Sequence, residues 1–83
     1  MGTQYSLEKK LNWFRKRFII MKEKEIFLNK KKLLAQFCLD NNSTERKGIE
    51  LLKIFQTAGE ISFFGENIGT PEQIDQEVEE VFK

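Results

Sequence analysis

The sequence predicts a single domain of the α+β class, mainly α-helical with a small β-hairpin. Apolar residues recur at spacings of three and four over residues 6–22, which is the period of a helix with one buried face. A glycine at position 59 precedes a β-branched and aromatic run at 60–64, and this pattern indicates a helix end followed by a strand. With 83 residues, of which 40% are hydrophobic, the chain is long enough for one compact core.

The first predicted helix, residues 6–22, is apolar on one face and basic elsewhere, with Ser6 as its expected N-cap. Its apolar stripe comprises Leu7, Leu11, Phe14, Phe18 and Met21, and its basic residues are Lys9, Lys10, Lys16, Arg17 and Lys22. Trp13 lies off this stripe. Two placements of Trp13 stay open: a contact with a second subunit, or the edge of the domain's own core.

The middle of the chain predicts two further helices. Residues 26–28 are apolar and favour a short strand or an extended connector. Asn29 is the expected N-cap of a helix over residues 30–39. Ser43 is the expected N-cap of the third helix, which Gly59 would close with a left-handed C-terminal cap.

The last third of the chain predicts a hairpin and an acidic helix. A strand over residues 60–64, a turn at 65–67 and a return strand beginning at Ile68 form the expected hairpin. The segment Thr70-Pro71-Glu72-Gln73 has a capping Thr, a Pro at the first helical position and a Gln at the third, so it predicts the start of an amphipathic helix over 71–83. The apolar stripe of that helix comprises Ile74, Val78 and Val81.

The two halves of the chain have opposite charges. Residues 1–32 contain ten Lys and Arg against three Glu, a net charge of +7. Residues 33–83 contain four Lys and Arg against ten Asp and Glu, a net charge of −6. Because the arrangement of charge sets the field that a ligand meets, the basic half favours a polyanionic partner that the total of +1 would not indicate.

The segment from Lys31 to Ile61 contains a helix, a turn, a second helix, a glycine and the start of a strand. Its marker residues are Ser43, Phe55, Gly59 and Ile61. In this arrangement the segment resembles the helix-turn-helix core of winged-helix DNA-binding domains, and it is similar above all to small ones from archaea and their viruses. The resemblance implies a helix-turn-helix core at 30–61, a wing at 61–69 and an added C-terminal helix at 71–83.

The resemblance also implies that the helix beginning at Ser43 enters the major groove of double-stranded DNA. Arg46 would present paired donors to guanine, whereas Lys47 and Lys53 would contact phosphates. Three lysines at 30–32 open the preceding helix, where positive side chains and free backbone N–H groups suit a phosphate. The complete candidate DNA-binding set is Lys30, Lys31, Lys32, Thr44, Arg46, Lys47, Glu50 and Lys53.

Two features depart from that family pattern. The expected wing, residues 64–68, contains no Lys or Arg and includes Glu66, so the grip on DNA that a wing often provides is missing. Glu45 and Glu50 lie among the candidate contacts and would repel phosphates, although a Glu can accept a hydrogen bond from cytosine N4. We therefore expect affinity to depend on the helices.

We expect sequence-specific binding of double-stranded DNA, by a transcriptional regulator or a replication-associated module without enzymatic activity. The chain has no His and a single cysteine, Cys38, so an internal disulfide is impossible and we expect no metal or cofactor. The alternative is a non-catalytic protein–protein interaction or assembly module on the same fold. A homodimer through the first or the last helix also stays open.

The sequence gives no indication of a membrane span. The longest uninterrupted apolar run, residues 18–21, is far shorter than a bilayer requires, and no secretory leader precedes it. We expect a cytoplasmic, intracellular protein. Gly2 and Ser6 fit a permissive N-myristoylation pattern, so lipidation of Gly2 stays open.

Overall fold

A computed structural model describes the backbone of residues 2–82 and the side chains of residues 6–76. The elements in chain order are α1 (Gly2–Lys24), β1 (Leu28–Asn29), α2 (Lys30–Asn41), α3 (Glu45–Thr57), β2 (Ser62–Phe64), β3 (Asn67–Gly69) and α4 (Pro71–Phe82). The three short strands form an antiparallel sheet in the order β1-β3-β2. The prediction of a mainly helical α+β fold with a hairpin is confirmed, and β1 joins the hairpin as a third strand.

Helix α1 is longer than the sequence predicts. It begins at Gly2, so the N-cap prediction for Ser6 is wrong and Ser6 lies inside the helix. A serine costs little inside an exposed helical turn, and its presence therefore does not stop a helix from continuing toward the N-terminus. The helix ends at Lys24, because Glu25 adopts a left-handed backbone with φ 53° and the N–H of Ile26 donates to the carbonyl of Met21 at 3.1 Å.

The turn between α2 and α3 places the N-cap of α3 one residue later than the sequence predicts. Asn29 caps α2 as predicted, since its Oδ1 accepts from the N–H of Lys32 at 3.0 Å. The helix continues to Asn41, two residues beyond the predicted end, and Asn42 closes it with φ 49°. The N–H of Ser43 then donates to the carbonyl of Cys38, which makes Ser43 part of this closing turn. The N-cap prediction for Ser43 is therefore wrong; the cap of α3 is the next residue, a threonine.

The hairpin and the start of α4 agree closely with the sequence. Gly59 has φ 79°, which confirms the left-handed cap at the end of α3. Strand β2 is shorter than the predicted 60–64, the turn comprises residues 65–66 with Gly65 at φ 61°, and the return strand begins at Asn67, one residue before the predicted Ile68. Thr70 and Gln73 form the predicted capping box, with reciprocal backbone-to-side-chain bonds of 2.8 and 3.2 Å. The predicted stripe positions Val78 and Val81 lie outside the described side chains.

Phenylalanines from three helices form the centre of the core. Phe14 of α1 stacks on Phe37 of α2 with ring centroids 4.9 Å apart, and Phe18 meets the ring of Phe55 of α3 edge-on at 5.1 Å. All four rings are buried. Leu7, predicted on the same stripe of α1, is 37% exposed because this part of the helix extends past the core. The stripe prediction is thus confirmed from Phe14 onward.

Trp13 lies at the edge of this core, where it joins α1 to α2. Its ring meets Phe37 edge-on at 5.5 Å, and its indole N–H donates to a carboxylate oxygen of Asp40 at 3.0 Å. The guanidinium of Arg17 lies 3.5 Å above the indole ring and forms an ion pair of 3.4 Å with Asp40. Bonds from Trp13 and from the Gln36 amide hold the pKa of Asp40 below its usual range.

None of the helices formed by residues 2–82 combines the length and the hydrophobicity that a bilayer-spanning segment requires.

Candidate nucleic-acid interface

Helix α3 has a buried side and an outward side. Its buried residues are Gly48, Leu51, Leu52 and Phe55. At about 100° per residue, the positions opposite them are four exposed residues with the spacing four, three, four. We call these four the outward stripe: Arg46, Glu50, Lys53 and Thr57.

The first two turns of α3 bring several of the predicted contact residues together. Thr44 is the N-cap, and its Oγ1 accepts from the N–H of Lys47 at 3.2 Å. The ammonium of Lys47 lies 3.7 Å from a carboxylate oxygen of Glu50, which is three residues later. Arg46 forms no ion pair with any residue whose side chain the structure describes. The guanidinium of Arg46 is thus available to a ligand.

Close packing at Gly48 determines how near α3 lies to α2. A Cβ atom on Gly48 would come within 2.7 Å of Cδ2 of Leu34 and within 3.0 Å of Cδ2 of Phe37. Both distances are shorter than an ordinary carbon contact of about 3.5–4.0 Å. The absence of a side chain at Gly48 therefore allows α3 to pack against α2 while its opposite face points to solvent.

The three lysines at the start of α2 are placed on a different helix from the outward stripe. The N–H of Lys30 donates to the carbonyl of Glu66 at 2.8 Å, and the N–H of Lys32 is bonded to Asn29. The prediction that these backbone groups are free for a phosphate is wrong at both positions, because the hairpin and the N-cap already occupy them. The side chains of Lys31 and Lys32 are exposed, so their ammonium groups remain available.

Lys30 differs from its two neighbours because its side chain turns toward the sheet. It is half-buried, and its ammonium lies 5.4 Å from the centre of the Phe63 ring on β2. The hairpin tip itself carries an exposed Glu66 and, over residues 62–69, no cation. The hairpin thus supports the start of α2 and adds no positive charge of its own.

Sequence reasoning missed two residues of this surface and one on the buried side of α3. Ile54 is 51% exposed beside the outward stripe, Thr57 ends the stripe, and Gly48 is buried on the opposite side of the helix. Counting outward positions in steps of three and four from Arg46 through the whole helix would have identified Thr57. A glycine in a helix interior costs about 1 kcal/mol relative to alanine, which was the available signal that Gly48 has a packing role.

The candidate interface has no features of a metal centre in the described chain. Among residues 6–76, no three Cys, Asp or Glu side chains come together as ligands. No protein-family model matches the chain, and the searches of curated proteins and of solved structures found no significant match.

Proposed function

We propose that this chain is a winged-helix protein that binds double-stranded DNA sequence-specifically, with α3 in the major groove. The proposal extends the sequence resemblance with the observed order of elements: two packed helices joined by a tight turn, followed directly by an antiparallel hairpin. In the cell this activity suits a transcriptional regulator or a replication-associated module that acts by binding, without catalysis.

The main support is the outward stripe of α3. Its residues are exposed, and they lie opposite the face that Leu51 and Phe55 anchor in the core. A helix with its side chains is about 10–12 Å across, which matches a major groove about 12 Å wide. An anchored helix with a polar face of this kind can enter the groove without loss of core packing.

The candidate cations of α2 and α3 have expected partners on DNA. Arg46, at the leading end of the stripe, can present two parallel donors to O6 and N7 of guanine. Lys47 beside the stripe and Lys53 within it would contact phosphates, which add affinity without sequence information. Lys31 and Lys32 would contact a further phosphate beside the groove through their side chains.

The first experiment is a titration of duplexes of 20–30 base pairs at two salt concentrations. If about five phosphates are neutralised, the logarithm of the affinity should fall with the logarithm of the salt concentration with a slope of about −4 to −5. Arg46→Ala should cost about 1 to 3 kcal/mol of binding and relax one base position, whereas Lys31→Ala should weaken all sequences alike.

Lys16→Ala provides a matched control, because it removes one exposed cation from α1 and leaves α3 unchanged. It should have a smaller effect than Lys31→Ala and should leave sequence preference intact. If all three variants lose the same binding affinity on every sequence, α3 is not the recognition helix.

A second candidate function is a protein assembly module. Leu39 on the outer side of α2 is 78% exposed, the largest exposure among the large apolar side chains described. Exposed apolar groups of this size are found at protein contacts, although single ones are common on any surface. Absence of duplex binding at both salt concentrations, together with a light-scattering mass above that of one chain, would favour this alternative.

A further inference from the structure

A carboxylate occupies the middle of the outward stripe. Glu50 follows Arg46 by one helical turn and precedes Lys53, and 60% of its side chain is exposed. Its contact with Lys47 is a surface ion pair at 3.7 Å, a type that stabilises a helix only slightly. Helix stability therefore gives little reason for an acid at this position.

A carboxylate in the major groove discriminates strongly among bases. An ionised Glu only accepts hydrogen bonds, whereas guanine presents acceptors at O6 and N7 and thymine presents an acceptor at O4. Cytosine presents its N4 amino group as a donor, whereas adenine presents its N6 amino donor beside the N7 acceptor, which repels a carboxylate. Phosphates repel the carboxylate in every sequence, so an acid here opposes binding unless a cytosine compensates it.

We propose that Glu50 is a specificity-determining residue that selects cytosine and lowers affinity for all other sequences. This inference rests on the proposed function, and it assigns to Glu50 a role opposite to that of the neighbouring cations. Four residues of helix span about 6 Å, and base pairs are stacked about 3.4 Å apart. The selected cytosine should therefore lie within about two base pairs of the guanine that Arg46 contacts.

The test is a selection from a random pool of 25-base-pair duplexes by the wild type, Glu50→Ala and Glu50→Gln, followed by sequencing and titration against the unselected pool. Glu50→Ala should bind the unselected pool more tightly and should lose the cytosine preference by about five- to hundredfold. Glu50→Gln should exchange cytosine for adenine at that position, because an amide pairs with N6 and N7 of adenine.

Glu45→Ala is the matched control, since it removes the same charge from the first turn of α3 at an exposed position outside the outward stripe. It should leave the selected motif unchanged. Circular dichroism of each variant verifies that the exposed substitutions leave the fold intact. Recovery of the wild-type motif by both Glu50 variants would overturn the inference.

Arg46→Ala in the same selection separates this inference from the proposed function. If Arg46→Ala alters the motif and the Glu50 variants do not, α3 still reads DNA and only the role of Glu50 is wrong. If the wild type retains no duplex at low salt, the proposed function fails and the role of Glu50 fails with it.

Discussion

Gly48 offers the sharpest test of how α3 is positioned, because alanine at this site has two opposing effects. In an exposed helix position, Gly→Ala would stabilise the protein by about 1 kcal/mol. At Gly48 the new Cβ would lie 2.7 Å from Cδ2 of Leu34 and 3.0 Å from Cδ2 of Phe37. The outcome depends on whether these two side chains can move away.

Leu34 and Phe37 are both buried in the core, which limits how far either side chain can move. The Phe37 ring is fully buried, stacked on Phe14 at 4.9 Å and held edge-on by Trp13 at 5.5 Å. Overpacking of such a core costs about 1 to 3 kcal/mol, which exceeds the gain in helix propensity. We expect Gly48→Ala to lower the free energy of unfolding by about 1 kcal/mol.

Urea unfolding, followed by circular dichroism and by the fluorescence of the single tryptophan, Trp13, measures this difference. Leu34→Ala supplies the control, because it removes the Cδ2 atom that the new methyl group would meet. In that background Gly48→Ala should cost less, which gives a favourable coupling energy in a double-mutant cycle. An increase in stability of about 1 kcal/mol on Gly48→Ala alone would refute the close packing of α2 and α3.

Two further predictions concern local structure. Gly59→Ala should lower the free energy of unfolding by about 1 kcal/mol, because Gly59 has φ 79° while a Cβ there would meet no atom within 4 Å. Thermal unfolding detects the change, and an unaltered midpoint would contradict a left-handed cap. The hydrogen bond from Trp13 is the main cause of the lowered pKa of Asp40. Asp40 should therefore contribute stability that is complete above about pH 4 and is lost as the pH falls through the lowered pKa. Asp40→Asn should flatten this acid decline in urea titrations monitored by Trp13 fluorescence, and an unchanged decline would exclude Asp40 as its source.

Signals that act within a few residues were predictable from the sequence. The cap at Asn29, the left-handed glycine at Gly59 and the capping box of Thr70 with Gln73 each depend on groups at most five residues apart. The residue preference for N-caps did not identify the cap where two suitable residues are adjacent. Ser43 and Thr44 are both good N-caps, and the turn that closes α2 determined which of them caps α3.

In the candidate site, too, some features were predictable from the sequence and contacts between distant residues were not. The resemblance implied that Arg46 and Glu50 of α3 are available to DNA, and both residues are exposed in the structure. The sequence did not predict that the N–H of Lys30 is bonded to Glu66, because that contact joins residues 36 positions apart through the hairpin.

The amino-acid order alone therefore determined the class of the fold and the caps at Asn29, Gly59 and Thr70, because periodicity and capping depend on near neighbours in the chain. Tertiary structure decided that residues 28–29 become a strand, through pairing of Leu28 with Ile68, and that α3 lies close to α2 at Gly48. Both outcomes depend on contacts between residues that are far apart in the chain, and a local sequence pattern does not specify those contacts.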